Sequence, residues 1–320
     1  MTTKIGVISN LQSRRNKDAM RDLLDLLQDH PQVKHLGFHE ISELPDCLRE
    51  MALAGVTHLV ISGGDGTVQA VVSDLINDQP FSRFPELSLL PSGMTNVVAR
   101  DMGLTGMPMP YLKRLIERVE GGHRGEPAKR SVLTLDLRDD GPPIHGFLLG
   151  ALAFYQGTIL GRRKVHSMGF HQGLGSNIGL ALSALRVMWY GPGEKSGFVG
   201  ERVAQTVDGE AVPPQDLFLM VATTLSQILP GIKPFWGNGS GRMNLTTVTY
   251  PPQRFTRAAL PALRGKPRPW MEDAGWRSRR AETLECDLTS PLVFDGEFLE
   301  TDGGPGFKLS VGPSLTFSCY

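Results

Sequence analysis

Val60-Ile61-Ser62 runs straight into Gly63-Gly64-Asp65-Gly66-Thr67, and the aliphatic residues Val68, Ala70, Val71 and Val72 follow. An apolar strand that passes through glycines into a helix makes a cradle for phosphate. Glycine lacks a Cβ, so its backbone can take positive φ and bring N–H groups close to an anion. Thr67 is expected to open a helix whose first amides and dipole face the same point. Asp65 is the unusual member, because a carboxylate repels phosphates unless it holds Mg²⁺ or moves a proton. Phosphoryl transfer is the chemistry that fits this spacing.

The elements that must position the turn follow from hydrophobic periodicity. Lys4 to Ser9 reads as a strand, Asp18 to Gln28 as a helix with Leu23 and Leu27 on one side, Val33 to Phe38 as a second strand and Leu44 to Ala54 as a second helix. Thr57 to Ser62 is the third strand and Thr67 to Ile76 the third helix; Leu87 to Leu90, Val97 to Met102 and Tyr111 to Glu120 continue the alternation. Such a βα pattern implies a largely parallel, doubly wound sheet, whose ligands gather at the carboxyl ends of the strands. The loops at Ser9-Asn10, Gly63 to Thr67 and Ser92 to Asn96 all stand at such ends. Beyond about Arg130 the pattern changes to short strand-like runs separated by Gly, Pro, Asn and Asp, among them Phe147 to Phe154, Leu217 to Thr223, Met243 to Thr249 and Leu292 to Phe294. A β-sandwich or flattened barrel is the expected second fold, with one helical insert at Ile178 to Tyr190.

Composition sets the outer limits. A chain of 320 residues, 40% hydrophobic and 21% charged, has length for two cores. Lys plus Arg equals Asp plus Glu at 33 each, so no global basic field calls for nucleic acid. Cys47, Cys286 and Cys319 form no Cys-x-x-Cys pair, which leaves neither a zinc knuckle nor a disulfide framework and points to a reducing, cytoplasmic setting. The polar run from Gln12 to Asp18 interrupts any signal-peptide core, and no stretch reaches the ~20 apolar residues of a spanning helix. Membrane contact, if made, is expected to be peripheral, at the inner face. Oligomeric state has no signature.

Three motifs together carry a family resemblance. Gly63-Gly64-Asp65-Gly66-Thr67, then Pro91-x-Gly93-x-Thr95-Asn96-x-x-Ala99-Arg100, then Asp295-Gly296-Glu297, with Asn10-x-x-Ser13 after the first strand, resemble the diacylglycerol kinase catalytic-domain family, to which sphingosine and ceramide kinases are related. The resemblance implies a Rossmann-like nucleotide domain of the NAD kinase and phosphofructokinase type, residues 1–130 plus 304–320. It also implies a β-sandwich lipid domain, residues 131–303, and an active site in the cleft between the two.

The same resemblance assigns roles. ATP would be held by Ser9, Asn10, Ser13, Gly63, Gly64, Gly66, Thr67, Gly93, Thr95 and Asn96, and Mg²⁺ by Asp65. Glu297 would take the proton of a lipid hydroxyl, with Asp295 orienting it or a metal-bound water; Asp65 is the other candidate for that base. An Asp-Gly dipeptide on its own is a plain hairpin turn. Departures are Ala70 where the family has Glu, Met94 where it has Thr, and Asn238-Gly239-Ser240-Gly241 where many bacterial members have an acidic metal-binding turn. The expected function is an ATP-dependent kinase of diacylglycerol or a similar lipid at a membrane surface. A small-molecule kinase of the NAD kinase type and a non-catalytic nucleotide or lipid sensor are the alternatives.

Overall fold

The computed structural model describes residues 3–12, 14–91, 96–104, 108–123, 126–138, 141–167, 197–301 and 306–319. The chain divides into two compact units. Unit 1 holds Met1–Val132, Ile144–Gly146 and Pro313–Tyr320; unit 2 holds Leu133–Pro143 and Phe147–Gly312. The return to unit 1 therefore begins at Pro313 and not at Gly304, because Phe307–Cys319 is a single strand whose first residues pair with Thr283–Cys286 of unit 2.

Unit 1 is an α/β layer structure built from β1 (Ile5–Asn10), α1 (Arg14–Gln28), β2 (Lys34–Phe38), α2 (Leu44–Leu53), β3 (His58–Gly63), α3 (Asp65–Asn77), β4 (Glu86–Pro91), α4 (Val97–Asp101) and α5 (Pro108–Glu120). The strands pair in parallel in the order β2-β1-β3-β4, and the end of the chain adds a parallel partner to β4 through Phe317 and Leu87. Leu23 and Leu27 of α1 and Tyr111, Leu112, Leu115 and Ile116 of α5 form one core with Ile5, Val7 and Val60. The opposite face is covered by α2: a Cβ on Gly6 would lie 2.6 Å from Met51 Sδ. Helices on both faces are what buried parallel strands require.

The remaining elements are β5 (Glu126–Asp136), β6 (Ile144–Gly146), β7 (Leu148–Leu152), α6 (Ala153–Ser167), β8 (Glu201–Val207), β9 (Glu210–Thr223), β10 (Met243–Thr249), α7 (Phe255–Leu263), β11 (Trp276–Ala281), β12 (Thr283–Cys286), β13 (Leu292–Phe294), β14 (Glu297–Leu299) and β15 (Phe307–Cys319). Unit 2 is antiparallel and centred on β9, which pairs with β7, β8 and β10. Asp208 and Gly209, both at positive φ (52° and 82°), turn β8 into β9, as a two-residue hairpin demands. An aromatic core of Phe198, Phe218 and Trp276 receives Ala258 and Ala262 of α7.

One expectation changes here, and two features appear that the sequence reading did not give. The run Phe147 to Phe154 is strand only to Leu152, where φ of +59° breaks it, and α6 follows at once. Gly150 makes that possible, since a Cβ there would fall 2.1 Å from the Phe154 ring. The α7 helix has Pro251-Pro252 before it and Pro261 within it, so no helical signal precedes it. The basic run Arg277 to Arg280 lies in strand β11, paired with β10. The expected helix Ile178 to Tyr190 lies outside the described residues.

Candidate functional site

The strand order of unit 1 puts its reversal point between β1 and β3, where Ser9 pairs with Ser62. Ligands of open α/β sheets bind just beyond the strand ends at such a point. Asn10 ends β1 and Gly63 ends β3, so the residues that follow them meet there.

The turn itself differs from expectation in a useful way. Helix α3 starts at Asp65 with Gly64 as its N-cap, not at Thr67, so Asp65, Gly66 and Thr67 are its first three residues. Gly64 has φ −90° and ψ −176°, and Gly63 also lies outside the left-handed region. Positive φ is not what these glycines supply. Gly63 supplies room instead, because a Cβ there would sit 2.4 Å from Thr67 Cβ and 2.6 Å from its Oγ1. The Asn10 Nδ2 amide donates to Thr67 Oγ1 across 3.0 Å, and Asn10 Oδ1 accepts from the Gln12 amide at 2.9 Å. The N-cap, Gly64, makes no side-chain capping hydrogen bond. The first-turn amides of a helix have no intrahelical partner, and such an end favours an anion.

Neighbouring residues complete the rim. Ser9 is fully buried, with its hydroxyl 3.1 Å from His35 Nε2, and burial holds His35 below the usual histidine range. Pro91, at the end of β4, pairs with Gly63. Asn96 is buried in a left-handed conformation (φ 48°, ψ 50°) where α4 begins. Behind it the buried Asp101 carboxylate meets Arg130 Nε at 3.0 Å. Ser13, Gly93 and Thr95 lie outside the described residues.

Glu297 and Asp295 belong to unit 2. Asp295 and Gly296, at φ 49° and 94°, form the two-residue turn between β13 and β14, where Phe294 pairs with Glu297. The plain hairpin is therefore real, and it is more than a hairpin. The Asp295 carboxylate is 7% exposed and accepts from the amides of Phe147 (2.9 and 3.1 Å) and Leu148 (2.8 Å). Its main-chain amide donates to the Leu148 carbonyl at 2.9 Å. Asp295 thus braces the turn against β7, and the turn presents Glu297 as an exposed side chain on β14.

Among the described residues no group of three or more His, Cys, Asp or Glu side chains could hold a metal ion. At the Asn238 to Gly241 segment the Gly241 carbonyl accepts from Arg280 Nε at 2.5 Å, and Arg242 pairs with Glu282 at 2.9 Å. A guanidinium on that carbonyl is the opposite of a cation site. Cys286 is buried and its thiol is pushed up to about 12, which leaves it a packing residue.

The reading of the sequence overlooked His35, Arg130 and the amides of Phe147 and Leu148. A lone His in a strand, a lone Arg at a helix-to-strand change and main-chain donors carry no motif; only the fold brings them to Ser9, Asp101 and Asp295.

Residues 4–123 match the model of the diacylglycerol kinase catalytic domain. A curated relative named "Probable lipid kinase YegS-like", from Chromohalobacter salexigens, is 35% identical over 82 residues, 24% of this chain and 26% of that protein. The chain thus matches about a quarter of that relative's length. Over nearly the whole chain the structure is similar to a diacylglycerol kinase from Bacillus anthracis, with TM-score 0.66, 17% identity, and 99% of this chain and 97% of that one covered. It is also similar to yeast NADH kinase complexed with NADH, with TM-score 0.54, 12% identity, and 100% and 84% covered. At these identities the structural likeness establishes the fold. No helix among the described residues is long and apolar enough to cross a membrane.

Proposed function

We propose that the protein transfers the γ-phosphate of ATP to a hydroxyl of diacylglycerol or a closely related lipid, a reading that starts from the match of residues 4–123 to the diacylglycerol kinase catalytic-domain model. The observation that carries the reading is the Asn10 to Thr67 hydrogen bond, which ties the end of β1 to the first turn of α3 at the reversal point of the sheet. That end suits a polyphosphate. Gly63, Gly64, Gly66 and Thr67 hold it through the backbone, and Asn10, Ser9 and Asn96 shape the adjoining strand ends.

Asp65, in the first turn of α3, is the protein's carboxylate for Mg²⁺, whose other ligands would be phosphate oxygens and water, the usual donors of this ion. The ion, when bound, offsets charge on the transferring phosphoryl group. An alcohol is a poor nucleophile near neutral pH, so a carboxylate must accept its proton as it attacks. Glu297 is our assignment for that base, and Asp295 fixes the turn that carries it. Transfer of radiolabel from ATP to detergent-dispersed diacylglycerol tests the reading. Asp65→Asn and Glu297→Gln are the controls, and undiminished transfer in both would remove these roles.

A second reading rests on the similarity in fold to yeast NADH kinase. It makes the acceptor a soluble dinucleotide. Formation of NADP from NAD by the pure protein, with no label reaching lipid, would put this reading first.

A further inference from the structure

The formal net charge of the chain is zero, but its cations are unevenly spread. Between Asp216 and Glu272 there is no Asp or Glu, whereas Lys233, Arg254, Arg257, Arg264, Lys266 and Arg268 all fall in that interval. Arg242 lies there too, and Glu282 neutralises it. The other six are exposed, and among the described residues none of them forms an ion pair with a carboxylate. Glu272 and Asp273, also exposed, mark where the basic run stops.

Helix α7 organises these charges. Ala258 and Ala262 face the aromatic core, so Arg257 and Leu260 fall on the opposite side, with Arg264 as the C-cap one turn further on. Leu260 is 54% exposed in the middle of that side. At the helix N-cap the Arg254 guanidinium lies 5.2 Å from the centre of the Trp270 ring. At the C-terminal end the Lys233 amide donates to the Leu263 carbonyl at 2.8 Å, which brings Lys233 to the same surface. The outer side of an ordinary surface helix mixes signs and pairs them along the helix. This one is of one sign around an exposed leucine.

Like charges held together repel and cost stability unless a partner supplies the counter-charge. An anionic polymer would satisfy the arginines but has no use for the exposed Leu260. A bilayer with anionic headgroups satisfies both, with cations at the headgroups and the leucine below them. We infer that the α7 surface of unit 2 docks the protein on an anionic lipid bilayer. The inference deepens the lipid-kinase reading and rests on it in one respect, that the acceptor resides in the bilayer.

Sucrose-loaded vesicles of phosphatidylcholine, with and without phosphatidylglycerol, test it by co-sedimentation of the full chain without ATP or diacylglycerol. Binding is expected only with phosphatidylglycerol and is expected to weaken as salt rises. Each cation near such a surface is worth about fivefold in partition, so R257E/R264E should lose at least about 25-fold. L260S should weaken the binding that persists at high salt. R83E/R118E, an equal charge change at exposed positions of unit 1, should bind as the wild type does. Thermal melts establish that each variant is folded.

Equal binding to both vesicles, wild-type binding by R257E/R264E, or an equal loss in R83E/R118E would each overturn the proposal. So would binding to duplex DNA as tight as to phosphatidylglycerol together with no effect of L260S. Transfer to detergent-dispersed diacylglycerol is measured alongside. Lost docking with transfer intact sinks the α7 surface alone, and lost transfer with docking intact sinks the kinase reading alone.

Discussion

The side-chain amide of Asn10 donates to the hydroxyl oxygen of Thr67 across 3.0 Å, so the last residue of β1 is fastened to the first turn of α3. If this bond shapes the phosphate site, Asn10→Ala should raise the KM for ATP about tenfold, a cost of about 1.4 kcal/mol, while kcat changes less. Thr67→Val, which keeps the shape and removes the acceptor, should do the same. Folding stability should fall by about 1 kcal/mol in each. Steady-state kinetics with ATP varied decide the matter, and an unchanged KM in both variants would detach the bond from nucleotide binding.

Gly63 is held to glycine by its neighbour and not by its own backbone angles. A Cβ added there would press on Thr67 at 2.4 to 2.6 Å, and Thr67 is itself buried and bonded to Asn10. Gly63→Ala should therefore cost about 1–3 kcal/mol as an overpacked site, and it should also weaken ATP binding by displacing the start of α3. Urea denaturation alongside nucleotide titration measures both. A variant as stable as the wild type would mean that α3 can shift freely at this point.

Asp295 and Glu297 stand two residues apart and should fail in different ways. Asp295→Ala removes the acceptor for the amides of Phe147 and Leu148, and each buried donor left unpaired costs about 1–3 kcal/mol. A large loss of stability is expected. Glu297→Gln changes an exposed side chain, so stability should stay within about 0.5 kcal/mol, whereas kcat should fall about 10²- to 10⁴-fold if Glu297 is the base. Melting curves and kcat on the same preparations separate the two roles. A Glu297→Gln enzyme with full kcat would return the base role to Asp65.

Much of unit 1 was legible because long apolar runs, helical spacing and glycine breaks all agree there. β1, α2, β3 and β4 fall within a residue or two of the expected spans. The start of α3 was misplaced, since a threonine after glycines looks like a cap, while in the structure Gly64 takes the cap position and Thr67 is used as a hydrogen-bond acceptor. In unit 2 the strands with clear alternation were found, as at Met243–Thr249 and Leu292–Phe294. The α6 helix was hidden because strand passes to helix at Leu152 without Gly or Pro. The bracing of Asp295 could not be read at all, because its partners are main-chain amides 147 and 148 residues away.

Acid should loosen unit 1 through His58. The ring is completely buried between strands, with Nε2 at 2.9 Å from Ser88 Oγ, whose hydroxyl donates to the Ser318 carbonyl on the terminal strand at 2.9 Å. Burial lowers its pKa to about 4, and the Glu86 carboxylate at 3.7 Å offsets only part of that. Because the folded value lies below the unfolded 6.5, the unfolded chain binds the proton first as pH falls. The contribution of His58 is therefore complete above about pH 6.5 and is lost between there and about pH 4, at most about 3 kcal/mol. Asp74, raised to about 6 by burial and by Asp78, acts in the opposite sense, since its folded form takes up a proton before its unfolded form does. The difference in unfolding free energy between wild type and His58→Gln cancels that contribution. The difference should be largest near pH 7 and shrink towards pH 4, and a difference independent of pH would mean that His58 does not titrate on unfolding.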